Sequence, residues 1–219
     1  MSTIITDAVT ALSGNLALAP EGSGVVTIDG LTYPAADGSA NQLMKTNGSG
    51  VLGFVDAPSS GFTLTAEQST GSGNGITFGS IPSGVQQVVM MVEGTSPGSD
   101  GDIYIQLGDG GGLESSGYIA SGGYVLQVGT TGVTRSTSSF IWRMEGDAAW
   151  TYDGAMQFFL KDATNNTWVA VQGGSHGGGS TRHATVGGGV KSLSAVLTQI
   201  KVFPQNGNFD AGSISIMYK

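Results

Sequence analysis

The sequence predicts an all-β protein: a short N-terminal β shaft of intertwined or stacked chains, followed by an antiparallel, jelly-roll-like β-sandwich. Three observations carry this. No segment repeats apolar residues at the 3.6-residue spacing of an amphipathic helix. Short β-prone runs recur along the whole chain, each closed by Gly, Pro, Asn or Asp. Of 219 residues, 38 are glycine while only 11% are charged, a profile of many turns and few long helices.

Residues 1–30 read as an attachment arm and the start of the shaft. Thr6 or Asp7 offers an N-cap before Ala8-Val9-Thr10-Ala11-Leu12, and short β-prone pieces follow at 15–18 and 25–28. Residues 31–58 read as shaft repeat and joint. There Leu43-Met44 and the run from Val51 to Val55 flank Asn47-Gly48, the strongest short-range hairpin signal, so 42–55 is expected to form a small hairpin. A lone hairpin is marginal in water. It needs a partner, and copies of the same chain are the simplest; the alternative is a plain Gly/Ser linker.

Residues 59–219 read as the distal sandwich, with strands expected at 62–65, 76–78, 85–92, 102–107, 118–119, 124–128, 139–144, 155–161, 167–172, 197–203 and 213–218. Turn-punctuated strands at this spacing suit a sandwich or barrel. The last two strands read as a closing hairpin spanned by 204–212, which places the C-terminus in a sheet. Trp142 and Trp168 fall within strand patterns and are expected in the core.

Composition excludes several functions. A net charge of −8 with only 8 Lys and Arg argues against nucleic-acid binding, which needs clustered cations. The absence of Cys removes disulfides, thiolate nucleophiles and Cys-ligated metals. No apolar run approaches the roughly 18 residues that span a bilayer, and the N-terminus lacks a secretory pattern. The expectation is synthesis in a cytoplasm and release by another route, with no membrane insertion.

The stretch from Thr32 to Val55 resembles a short element of bacteriophage tail fibres, tail spikes and other virion fibres, of the general form lP-x-x-dGs-x-gQ-x-L-x-tdg-sG-x-l-x-f. Asn41 stands in the usual small position before Gln42, and Phe54 replaces a frequent Trp. The part from Phe62 to Lys219 is also similar to distal β-rich domains of such fibres, through IPSGVQQVVMMVEGTS and LGDGGGLESSGY. The resemblance implies a homotrimer displayed on the virion exterior. Its N-terminal segment would attach to other virion proteins and its tip would bind a host cell-surface glycan or protein. A head fibre or capsid decoration protein is the alternative within that class.

Candidate sites follow from residue types. The segment 172–183, with His176, Arg182 and His183 among glycines, reads as an exposed, mobile loop suited to receptor contact. No metal is expected there, for lack of a His-x-His spacing, and no cofactor elsewhere. Trp150, Tyr152 and Asp153 place aromatics beside an acid, as sugar-binding sites do. Asp100, Asp102, Asp109 and Glu114 resemble calcium-loop ligands but miss the required spacing, and acidic turn residues mostly shape turns. The chain is read as a non-enzyme. A polysaccharide-degrading spike using Glu145, Asp147 and Asp153 is the competing class, and no nucleophile elbow is present.

Overall fold

The computed structural model describes residues 24–57, 61–142, 147–179 and 181–219. The chain divides into two compact units, Met1–Ser59 and Ser60–Lys219. Residues 1–23, and with them most of the expected attachment arm, lie outside the described residues, as does Glu145.

The first unit contains two hairpins. β1 (Thr27–Ile28) and β2 (Leu31–Thr32) join through Asp29 and Gly30, both at positive φ (50° and 77°), the two-residue turn whose twist matches its strands. β3 (Gln42–Thr46) and β4 (Leu52–Asp56) pair from Gln42↔Asp56 to Thr46↔Leu52, which is the hairpin expected over 42–55. Asn47 closes its loop by accepting the Ser49 and Val51 N–H groups at 2.8 and 3.2 Å. The Thr32 N–H donates to the Gly50 carbonyl at 2.7 Å and ties the two hairpins together.

The geometry accounts for the residue types of the Thr32–Val55 stretch. A Cβ at Gly38 would lie 2.6 Å from the Phe54 ring, so only glycine lets that ring pack. Gln42 donates to Asp56 Oδ1 and accepts the Ser39 N–H, both at 2.9 Å. Asn41 sits at φ 67°, a left-handed backbone that Gly and Asn tolerate best. Leu43, Met44 and Val55 nevertheless remain exposed.

The second unit is an all-β, sandwich-like fold of two antiparallel sheets, with no helix among the described residues. Its strands are β5 (Thr63–Leu64), β6 (Gln68–Ser69), β7 (Ile76–Phe78), β8 (Gln87–Pro97), β9 (Ile103–Asp109), β10 (Gly112–Leu113), β11 (Tyr118–Val125), β12 (Thr131–Ser136), β13 (Phe140–Trp142), β14 (Thr151–Asp162), β15 (Thr167–Gly178), β16 (Thr181–Ser192), β17 (Gln199–Pro204) and β18 (Phe209–Tyr218). The large sheet runs β12-β11-β16-β15-β14-β8-β18-β5, with β6 also on β18. The small sheet runs β10-β9-β17-β7, with β13 on β9.

Two sequence expectations are corrected. The segment 172–183 is not a mobile loop: β15 continues to Gly178 and β16 starts at Thr181, paired through His176↔His183. Nor do the last two strands form a hairpin. β17 pairs with β7 and β9 in the small sheet, whereas β18 crosses to the large sheet and pairs with β8.

The core lies between the sheets because alternate residues of each strand face inward. In β17 Ile200 and Val202 are buried while Lys201 and Phe203 are less so; Ile103, Ile105 and Leu107 of β9 do the same. Opposite them lie Val88, Met90, Met156, Phe158, Ile214 and Ile216. Each such side chain contributes about 1.5–3 kcal/mol on burial. Edge-on aromatics add directional packing: Tyr118 to Phe140 at 5.2 Å and Phe140 to Phe158 at 5.6 Å. Trp142 and Trp168 are buried in this core, as their strand patterns predict.

Candidate functional site

One end of the large sheet gathers the sequence-predicted residues. Tyr152 on β14 lies opposite His176 on β15, which lies opposite His183 on β16. All three point inward and are buried. The imidazoles are 5.3 Å apart between centroids. Trp150 caps them, 5.6 Å from His176 and 4.9 Å from His183, and the Tyr124 ring stands edge-on to His176 at 6.0 Å.

Glycines make this possible. A Cβ at Gly178 would come within 3.0 Å of the Trp150 ring, and one at Gly174 within 3.0 Å of the Tyr152 hydroxyl. The neighbouring inward positions therefore carry no side chain, and large groups lie across them. Behind the rings, Tyr152 O–H donates to Gln172 Oε1 and Gln172 Nε2–H to Thr185 Oγ1, both at 3.3 Å. Burial, then the Thr185 bond acting against it and the Asp153 charge acting with it, leaves the Tyr152 phenol well above its ordinary value.

The two histidines differ. Burial, reinforced by His183 beside it, pushes the His176 imidazole down to about 4, so it is neutral at pH 7. His183 Nδ1 accepts the Gln127 N–H at 3.0 Å, which requires that nitrogen to be unprotonated.

The solvent side is built on a bulge. β8 and β14 slip register between Tyr152 and Gly154, and Gly94 at φ 57° turns its N–H onto Asp153 Oδ1 at 2.8 Å. The other oxygen of Asp153 accepts Arg182 at 2.9 Å, with the two side chains 38% and 49% exposed. An ion pair this exposed contributes little stability. The turn carrying Trp150 is pinned: Asp147 Oδ1 accepts the Ala149 N–H, and Asp100 Oδ1 accepts the Ala148 N–H, both at 2.9 Å. Trp150 is half-buried.

Thus Trp150, Tyr152, Asp153, His176, Arg182 and His183 come together, but in two layers. Tyr152, His176 and His183 form an interior wall capped by the half-buried Trp150, whereas Asp153 and Arg182, one residue along their strands, face the opposite side of the sheet. Sequence reasoning missed Tyr124, Gln172 and Thr185, whose positions depend on β16 being a strand.

The four acids of 100–114 separate. Asp100 serves the Trp150 turn, and Asp102 meets Gln205 through its backbone. Asp109 and Glu114 share the Ser194 hydroxyl at 2.8 and 2.7 Å, and Glu114 also pairs with the buried Lys191. For Glu114, burial opposes ionisation, but Lys191 and Ser194 outweigh it and hold the carboxyl below its usual range. Among the described residues no group of three or more His, Cys, Asp or Glu is placed to hold a metal ion.

No protein-family model, curated protein or solved structure matches the chain.

Proposed function

We propose that this chain is a non-enzymatic bacteriophage virion fibre or spike protein, a homotrimer joined through its N-terminal unit. Its distal β-sandwich binds a host cell-surface receptor, in the first place a glycan. The observations that carry the receptor reading are the half-buried Trp150 ring over His176 and His183 and, on the other face of the same end of the sheet, the exposed Arg182–Asp153 pair. Sugars are held by an aromatic face against their C–H groups and by charged forks on their hydroxyls, and this end of the sheet offers both. The buried histidines and Tyr152 make the platform rigid, which lowers the ordering cost of binding. Three linked tips would turn weak single-site binding into avidity.

The trimer reading rests on the Thr32–Val55 resemblance and on the exposed Leu43, Met44 and Val55 of a hairpin too small to cover them. The depolymerase reading is less well supported. The Asp147 carboxylate accepts the Ala149 N–H and that of Asp153 accepts Gly94 and Arg182, roles of fixed acceptors rather than of a proton donor.

An array of bacterial surface glycans probed with the purified chain tests the proposal. Binding to at least one glycan class is expected, with Trp150→Ala and Arg182→Ala each weakening it about tenfold or more at unchanged circular dichroism. No binding to glycans or host cells would overturn it. Shortening of the glycan would replace it with the depolymerase reading.

A further inference from the structure

The outer face of the large sheet departs from the usual pattern for a sheet in water. A solvated antiparallel face alternates to polar residues. Here the outward positions of β11, β12, β15 and β16 include Ile119 (75% exposed), Val133 (77%), Val186 (61%) and Val171 (48%), with Val169 and Val125 beside them. Register places them in continuous rows: Val169, Val190 and Ile119 across one, and Val186, Gly123 and Val133 across another. Between them stand Gly123, Gly173 and Gly188, which leave the face flat. The charged residues beside these rows are Arg135, on the edge strand, and the paired Asp153 and Arg182, in and beyond the row of Val125 at one end of the same face.

We infer that this face is an interface between copies of this chain, where the large sheet of each protomer turns this face toward the common axis of the oligomer. The inference rests on the homo-oligomer reading above and locates its contact in the distal unit, on the rows of Val169 and Val186, with the Asp153–Arg182 end of the face left open. Three features favour a copy of the chain over another occupant. The six valines and isoleucines together expose on the order of 500 Å² of apolar surface, near the largest patch an ordinary monomer shows. Two such faces meeting would remove about 1,000 Å² of it from water, enough to approach a specific interface before any rim is counted. The central rows carry almost no charge, so like faces meet without repulsion, and their glycines allow sheets to approach to roughly 10 Å. Three such faces turned toward one three-fold axis form a closed set, so no apolar face is left at an end.

The absence of cysteine from the sequence makes a direct test possible. Val186→Cys and Val171→Cys are placed singly in the full chain, with Val196→Cys, an exposed position after β16, as reference. Maleimide labelling of the native oligomer is timed and the mass of each variant is measured by light scattering. Labelling of Cys at 186 and 171 is expected to be about tenfold slower than at 196 or slower still, and equal at all three sites in denaturant. An oligomer in which all three label equally fast would overturn this inference and leave the homo-oligomer reading standing. A monomer would overturn both.

Discussion

His176 is the side chain on which this end of the sheet turns, since it touches Trp150, Tyr124 and His183 and lies opposite Tyr152. Its depressed value makes stability depend on pH with a definite sign. Unfolded, it takes up a proton below about 6.5; folded, it resists until about 4. Stability is therefore full above 6.5 and falls as pH drops through the window between the two values. Between pH 7 and pH 5 the loss is about 2 kcal/mol. Asp109, Glu114 and Asp162 have lowered values, so their contributions fade only at more acidic pH. Urea unfolding midpoints at pH 7 and pH 5 measure the effect. His176→Gln should flatten the dependence, and an unchanged dependence in that variant would assign it elsewhere.

At the scale of elements, β16 is the strand that organises both the site and the flat outer face. Gly187 and Gly188 leave would-be Cβ positions only 2.6 and 2.3 Å from the carbonyls of Ser121 and Ala170, so the strand is clasped between β11 and β15. Lys191 near its end is buried, pairing with Glu114 and lying 5.3 Å from the centre of the Tyr118 ring. Glu114→Ala would leave the ammonium buried alone and should lower stability by about 3 kcal/mol, read as a fall in melting temperature. Lys191→Met combined with Glu114→Leu should recover most of that loss, because the uncompensated charge is gone. A single variant as stable as the parent would mean that water reaches Lys191.

Much of this was legible in the sequence. The 42–55 hairpin followed from Asn47-Gly48 between short apolar pieces, β7 from a turn-bounded β-prone run at 76–78, and β9 from the alternation of Ile103 to Leu107 within the strand expected at 102–107. β16 was not, although Arg182-His183-Ala184-Thr185-Val186 alternates, because glycine normally weakens a strand. What outweighs that rule is tertiary: Gly187 of β16 leaves the space that Gln172 fills and lets β11 and β15 approach closely, while Gly174 and Gly178 of β15 do the same for Tyr152 and Trp150. The site residues were found one by one from their chemistry, whereas their division into buried wall and exposed pair required the register. The crossing of β17 and β18 to different sheets was likewise invisible, since both alternate in the same way and a turn-rich connection joins either arrangement.

On the scale of the chain, both units present apolar surface that a lone copy leaves in water. Leu43, Met44 and Val55 do so in the first unit, and Ile119, Val133 and Val186 in the second. In the proposed assembly, covering this surface would add stability and link that stability to protein concentration. The most direct measurement is sedimentation equilibrium of the intact purified chain at neutral pH over a wide dilution range. A homotrimer gives a mass three times the 22.1 kDa of one chain, persisting on dilution; a mass of 22.1 kDa throughout would rule the homotrimer out.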